Sequence, residues 1–454
     1  MKNTFGFPSP DFKLVNGQLH FHNVPMLEIV RQYGTPLKLT FLPKISANIN
    51  HISTLFKNSM DHYNYRGKYF YCYCTKSSHF EFVIKEVLKN DSHLETSSAF
   101  DISIVEELFK RGYISNDLFI ICNGYKRPQY LSNIIRLING GFKNCVPILD
   151  NLNELQVYES GIDKNFDIGM RLASDEEPNF NFYTSRLGIR YSDLIPYYLD
   201  KVKNSHAKPK ILHYFINTGI KDSSYYWGEL NKFLLKYCEL RKYCPSLDSI
   251  DIGGGFPIKN SLKFSYNYEY MIDRIISTIQ HICQVQSTPT PHIFTEFGSY
   301  TVGESGAAIY SVLGQKRQNE KELWYMMDGS FITQLPDIWG LKEKFIMLPI
   351  NNWDNTHHKV NIGGLTCDSK DYYDSEAHTT EVFLPKIVNG NKLYFGFFNT
   401  GAYQDALGGY GGIQHCLIPA SKHVVIDRDI NGNIKSWLFN DEQTDQSMLR
   451  ILGY

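Results

Sequence analysis

Eight short apolar runs, near residues 68–74, 93–96, 118–122, 145–149, 166–172, 210–216, 248–252 and 292–296, are separated mostly by segments with helical spacing. Continuous apolar runs of this length suit strands buried on both faces, as in a parallel sheet covered by helices. The clearest helical stripe is Met271, Ile272, Ile275, Ile276, Ile279 and Ile282, which falls on one face at helical periodicity. Strand and helix alternating in this way predict an α/β fold built on a (β/α)8 TIM-like barrel. The chain has 454 residues, more than the roughly 250 such a barrel uses, so a second domain is expected. After about residue 310 the pattern changes to strand-like runs broken by Asp328-Gly329, Asn389-Gly390 and Asn431-Gly432, the turn signals of a β-rich domain. The first 39 residues also read as strand and turn. The expected division is a barrel over 40–310 and a second β domain, a sandwich or barrel, made by 1–39 with 311–454.

The seventh run leads into Ser249-Ile-Asp-Ile-Gly-Gly-Gly-Phe-Pro257. Three successive glycines offer backbone N–H groups with no Cβ in front of them, which suits a phosphate; a plain tight turn is the other reading. Distinctive polar residues also fall at or just after the other runs: Lys76, Glu95 and Ser97, Asn123, Arg171, Thr218 and Glu296. A (β/α)8 barrel carries its chemistry at that end of its strands. Lys76 closes the aromatic run Tyr69-Phe-Tyr-Cys-Tyr-Cys-Thr-Lys76. Partial desolvation there should lower its pKa and favour Schiff-base chemistry. A salt-bridged barrel lysine explains the same pattern.

A formal net charge of −1 argues against a nucleic-acid partner. No run approaches the roughly 18 apolar residues of a spanning helix, and Met1 to Gly17 has no signal-peptide core, so a cytoplasmic protein with no membrane partner is expected. Nine irregularly spaced cysteines are too sparse for a disulfide scaffold, and none has the paired spacing of a zinc site, so no metal is expected. Cys72 and Cys74 share one face of a strand and read as core. His20 and His22 read as strand-edge residues, His357-His358 as a solvated loop and Asp175-Glu-Glu177 as an exposed acidic turn.

Taken together, these pieces resemble the fold-type III, alanine-racemase-like enzymes that use pyridoxal 5′-phosphate, in particular their basic amino acid decarboxylases. The biosynthetic arginine decarboxylases are the group most resembled, through Ile121-Cys-Asn-Gly-Tyr-Lys126, Leu335-Pro-Asp-Ile-Trp-Gly340, Leu365-Thr-Cys-Asp-Ser369 and Asn399-Thr-Gly-Ala-Tyr403. The resemblance implies that Lys76 holds the cofactor covalently and that Glu296 pairs with its ring nitrogen, Glu304 being a rival acid nearby. It places the phosphate on Gly253, Gly254 and Gly255 with Thr218 and Tyr403, and puts Glu95 and Arg171 at the cofactor. Two departures stand out. The family's stacking histidine is replaced by Phe215, with His213 two residues earlier, and the arginine after its Glu-x-Gly is Ser299.

By the same resemblance, Cys367 reaches the neighbouring subunit's site and protonates the substrate α-carbon after CO2 leaves, which implies a homodimer with shared sites. A thiol suits that task, since at its ordinary pKa near 8.5 it stays protonated at neutral pH yet donates readily. Asp328 and Asp368 occupy positions that in the family approach the far end of the substrate. Two carboxylates favour a cation, and guanidinium geometry suits them. The expected reaction is L-arginine to agmatine, feeding polyamine and spermidine synthesis. Citrulline giving N-carbamoylputrescine is the alternative, then ornithine or lysine; a catalytically inactive regulatory homologue is the remote one.

Overall fold

The computed structural model describes residues 6–176, 181–373, 381–388 and 390–454. Eight parallel strands close into a barrel in sequence order: β1 Tyr69–Cys74, β2 His93–Thr96, β3 Ile120–Cys122, β4 Cys145–Leu149, β5 Phe166–Arg171, β6 Ala207–His213, β7 Ser249–Asp251 and β8 His292–Phe297. Closure comes from β8 pairing with β1, with Glu296 opposite Cys72. The interior is filled by Cys72, Ile121, Val146, Ile148, Ile211 and Phe294, packed with Phe70 and Phe119.

One strand is displaced from its expected place. The apolar run at 210–216 gives way to β6 at Ala207–His213, which starts earlier because Lys208, Pro209 and Lys210 interrupt the pattern around a register shift. Strand pairing therefore ends at His213, and Phe215 lies in the loop beyond it. The expected helical stripe lies in the helix Tyr268–Val285, which buries Met271, Ile272, Ile275, Ile276 and Ile279, but its last buried position is Cys283 rather than Ile282. Cys72 and Cys74 are buried as expected.

The chain divides into two compact units, the barrel unit Ser46–Pro257 with Tyr266–Thr301, and a β-rich unit made of residues up to Ile45, Ile258–Ser265 and Val302–Tyr454. These boundaries differ from 40 and 310. Strand Leu37–Phe41 pairs with both Gly306–Arg317 and Lys422–Arg428, which ties residues on either side of those limits into one sheet. Alternation along Gly306–Arg317 feeds two cores, Ala307 and Ile309 into one and Ala308, Tyr310 and Val312 into the other. Asn431-Gly432 does turn the hairpin between Lys422–Arg428 and Ile434–Asn440. Asp328-Gly329 instead leads into the short helix Phe331–Gln334. Asn389, like Glu177 of the acidic turn, lies outside the described residues.

Two histidine readings need correction. His22 is buried, 2.8 Å from the Glu304 carbonyl and 3.4 Å from Asp11, and His357–Lys359 is a strand paired with Phe383–Pro385. Among the described residues no helix is long and apolar enough to cross a membrane.

Candidate active site at the C-terminal end of the barrel

Lys76 sits in the single turn Thr75–Ser77 that follows β1, and its Nζ donates to both carboxylate oxygens of Glu95, at 2.9 and 3.1 Å. Glu95 lies within β2 and is fully buried, and Thr75 Oγ1 donates to its carbonyl, which ties the turn to that strand. Lys76 itself keeps 41% of its side chain exposed. The expected fall in its pKa is not what the site produces. Burial does oppose the ammonium charge, but Glu95, Cys74 and Glu296 outweigh it and hold the amine well above the usual lysine range.

Glu296, near the end of β8, is buried and is reached from three strands. Asn123 Nδ2 donates to Glu296 Oε1 at 2.5 Å and to Glu95 Oε1 at 3.2 Å, so one amide joins the two carboxylates. His213 Nε2 lies 3.4 Å from Glu296 Oε2, and the nearest polar atoms of His213, Asp251 and Glu296 all fall within 4.8 Å of one another. Burial alone would raise Glu296, yet His213 and Lys76 bring its pKa down to about 2. Burial and the Glu296 charge push Asp251 the other way, well above the ordinary carboxylate range. Two neighbouring carboxyl groups thus separate into one ionised and one protonated member.

The triple glycine is structural, with Gly253 and Gly254 buried and Gly255 exposed. Gly253 has φ +67 and donates its amide to Asp251 Oδ1 at 2.8 Å, and Glu296 N donates back to the Gly253 carbonyl at 2.9 Å. A Cβ on Gly254 would run into the carbonyl of Glu296. Gly255, at φ +108, packs where a Cβ would stand 2.7 Å from Gly219 Cα. Ile220 N donates to Gly255 O at 2.9 Å, so the loop carrying Thr218 is locked to the glycine loop. With Gly253 committed to Asp251, the amides of Gly254 and Gly255 have no protein acceptor among the described residues.

Arg171 ends β5, buried, with its guanidinium 5.8 Å from the centroid of the Phe215 ring. Phe215 is partly exposed beside Gly253. Ser299 opens the short helix Ser299–Val302. Several polar atoms at these strand ends are buried without a partner: Arg171 Nε, Asn123 Oδ1, His213 Nδ1 and Asp251 Oδ2. Orphaned polar atoms cost roughly 1–3 kcal/mol each, and their concentration at one end of the barrel suits a ligand that offers both donors and acceptors.

The remaining candidates belong to the β-rich unit. Glu304 is buried in an ion cluster, 2.9 Å from Lys44 and 3.5 Å from Lys259, with Asp11 2.6 Å from Lys259. Asp328 is held by its own sheet: Ser311 N and Oγ donate to it at 2.8 and 2.7 Å, and Thr35 Oγ1 at 2.5 Å. Asp328 is thus already hydrogen-bonded within its own unit. Asp368 is exposed, with one oxygen accepting from Lys370 N at 2.7 Å. Cys367 is exposed, and Tyr403 is half-buried with a left-handed backbone, φ 66. The motif lysine Lys126 is fully buried on Glu154 Oε2 and the Ile148 carbonyl, a structural position.

Asn123, His213 and Asp251 are the participants that residue reading undervalued. Asn123 directly follows its apolar run, whereas His213 and Asp251 interrupt theirs, the one signal that marks them.

Residues 47–303 match the family described as pyridoxal-dependent decarboxylase, pyridoxal binding domain. A biosynthetic arginine decarboxylase of Citrifermentans bemidjiense is 26% identical over 84% of this chain and 78% of its own length. The crystal structure of the biosynthetic arginine decarboxylase from Campylobacter jejuni superposes with a TM-score of 0.81 at 19% identity, covering 99% of this chain and 90% of that one. Diaminopimelate decarboxylase from M. jannaschii in complex with L-lysine gives 0.82 at 16% identity, covering 98% of both chains.

Proposed function

Since the chain belongs to the pyridoxal-dependent decarboxylases, we propose that this carboxy-lyase removes CO2 from a long amino acid, L-arginine first, to give agmatine. The observation that carries the reading is the pairing of Lys76 on Glu95 with a buried, ionised Glu296 at the same end of one barrel. Pyridoxal phosphate, when bound, supplies a sink for the electron pair left as CO2 departs. The residues present fit it. The unpartnered amides of Gly254 and Gly255, with Thr218 and Arg171 nearby, suit the phosphate; Phe215 offers a ring face; Tyr403 is a further hydroxyl assigned to the phosphate by resemblance.

Lys76 Nζ would carry the cofactor's carbonyl carbon, and for that it must first give up a proton. Glu95, 2.9 Å away, is the group placed to receive it. Glu296 would accept a hydrogen bond from the protonated ring nitrogen, and its low pKa keeps it anionic for that purpose. His213 and Asn123 hold its two oxygens and so fix its direction. Asp251 carries the proton that would otherwise compete for the same charge. Cys367 would return a proton to the substrate α-carbon. Its thiol is pushed up chiefly by the neighbouring Cys416, so it stays protonated at neutral pH.

Arginine is supported by the names of the relatives and by the exposed carboxylate of Asp368. One observation favours citrulline as a second reading. Asp328 accepts three hydrogen bonds within its own unit, so an uncharged ureido group would not leave that carboxylate unpaired. Incubating the protein with pyridoxal phosphate and arginine, citrulline, ornithine, lysine or diaminopimelate, and identifying the amine released, tests this directly. Agmatine from arginine is expected; N-carbamoylputrescine from citrulline alone would replace the first reading with the second. A protein that binds no cofactor, judged by a visible absorbance band that Lys76→Ala abolishes, would be a non-catalytic relative.

A further inference from the structure

Two loops of the β-rich unit bring together three side chains suited to a soft metal ion. Cys367 Sγ lies 3.3 Å from Cys416 Sγ, although the two residues are 49 positions apart. A ring nitrogen of His415 completes the group, and all three donor atoms lie within 4.8 Å of one another. All three residues are exposed on the single chain.

Both loops are held in place. Asp371 accepts from Thr366 N at 2.9 Å and from Phe331 N at 2.8 Å, and Leu365 N donates to Gly329 O at 2.9 Å, which fixes the approach to Cys367. On the other side, Cys416 and Leu417 both adopt left-handed backbone, φ 54 and 52. Side chains with a Cβ rarely take that conformation. It places the Cys416 sulfur where it accepts the amide hydrogen of Cys367, N to S 3.4 Å.

We propose that Cys367, Cys416 and His415 form a binding site for a thiophilic divalent cation of the zinc type, and that an ion held there withdraws Cys367 from proton donation. The second half rests on the role given to Cys367 above; the first does not. A tetrahedral ion with sulfur ligands near 2.3 Å and nitrogen near 2.0 Å separates its ligand atoms by roughly 3.4–3.8 Å, so small side-chain rotations bring this group into register. Two thiolates and an imidazole select zinc over magnesium or calcium, which prefer oxygen. The fourth position falls to water. Binding forms two metal–sulfur bonds and one metal–nitrogen bond and releases one proton from each thiol; no electrons change hands, and affinity therefore rises with pH. The spacing of the cysteines hides such a site, since His415-Cys416 supplies two neighbouring ligands and the third comes from another loop.

The test uses full-length protein loaded with pyridoxal phosphate and kept reduced with a phosphine. Titration with cobalt(II) should give one ion per chain with a thiolate-to-cobalt charge-transfer band, and zinc should displace it. Cys416→Ser and His415→Ala should each weaken binding about tenfold or more while leaving the circular dichroism spectrum unchanged. Zinc should suppress decarboxylation by the wild type, a chelator should restore it, and Cys416→Ser should resist at the same zinc concentration. No thiolate band, or one that survives both substitutions, overturns the site. So does the loss of two free thiols with no ion bound, which would identify a disulfide instead. Stoichiometric binding with turnover untouched overturns the inhibitory role alone. Because the binding arm reads absorbance and not turnover, it decides the site even if the protein decarboxylates nothing.

Discussion

Glu296 and Glu304 are both buried acids only eight positions apart in sequence, and their surroundings give them opposite uses. Glu304 accepts the charges of Lys44 and Lys259, and Lys259 also reaches Asp11, a closed set of partners. Glu296 faces His213, Asn123 and Asp251 at the strand ends, among atoms with hydrogen-bonding capacity left over. Glu296→Gln should therefore lower kcat about 100-fold, the scale of a lost proton-handling or charge-pairing group, with unfolding little changed. Glu304→Gln should do the reverse, lowering stability by about 1–3 kcal/mol while turnover persists. Steady-state CO2 release and urea unfolding on both variants separate the two roles. A different buried group governs acid stability. Burial brings the pKa of His423, bonded to Thr40 Oγ1 at 2.9 Å, down to about 4. In the unfolded chain a histidine titrates near 6.5, so the unfolded state binds the extra proton between those values. Stability from this residue is complete above about pH 6.5 and falls by roughly 3 kcal/mol as pH drops to about 4. Urea midpoints measured across that window should show the decline, and His423→Gln should flatten it.

At the scale of elements, the barrel strands were legible because strands buried on both faces leave uninterrupted apolar runs. Strand β6 was misplaced for the same reason, since Lys208 and Lys210 are only half-buried and break the run. That slip mattered at the site: it put Phe215 at a strand end and made His213 look displaced, whereas the strand delivers His213 to Glu296. The glycine loop shows a second limit of reading along the chain. Three glycines announce an approach by something without room for a Cβ, but what approaches Gly254 is the Glu296 carbonyl of the adjacent strand. Gly254→Ala should thus push β7 and β8 apart, lowering stability by about 1–3 kcal/mol and weakening cofactor retention. Gly228 provides the contrast, lying inside helix Ser224–Arg241 where an added Cβ meets nothing within 4 Å. Gly228→Ala should raise stability by about 0.5–1 kcal/mol. Urea unfolding of the pair, with cofactor content measured after dialysis, checks both.

At the scale of the whole molecule, the part of the site on the barrel strands could be read from strand-end positions, because a closed barrel brings those ends together whatever their separation in sequence. Asp251 still escapes, and Asn123 is visible only as a polar residue without a role, as their importance lies in contacts between strands that no single run displays. Residues of the β-rich unit are harder to read, since nothing in the neighbourhood of Asp328 announces that Thr35 will reach it. Cys367 poses the sharpest question at this scale. A thiol that protonates a carbanion must work where water is excluded, yet Cys367 is exposed on this chain. A second copy covering it would resolve the conflict, and in a twofold dimer each site would then combine Lys76 of one chain with Cys367 of the other. Mixing Lys76→Ala with Cys367→Ala chains makes the arrangement measurable. About half of the dimers formed by free exchange are hybrids, and each carries one intact site of two, so about one quarter of wild-type activity should return. Parent variants alone should stay inactive or nearly so. Hybrids demonstrated by mass spectrometry that recover no activity would place Cys367 outside a shared site and leave α-carbon protonation to a group on the same chain as Lys76.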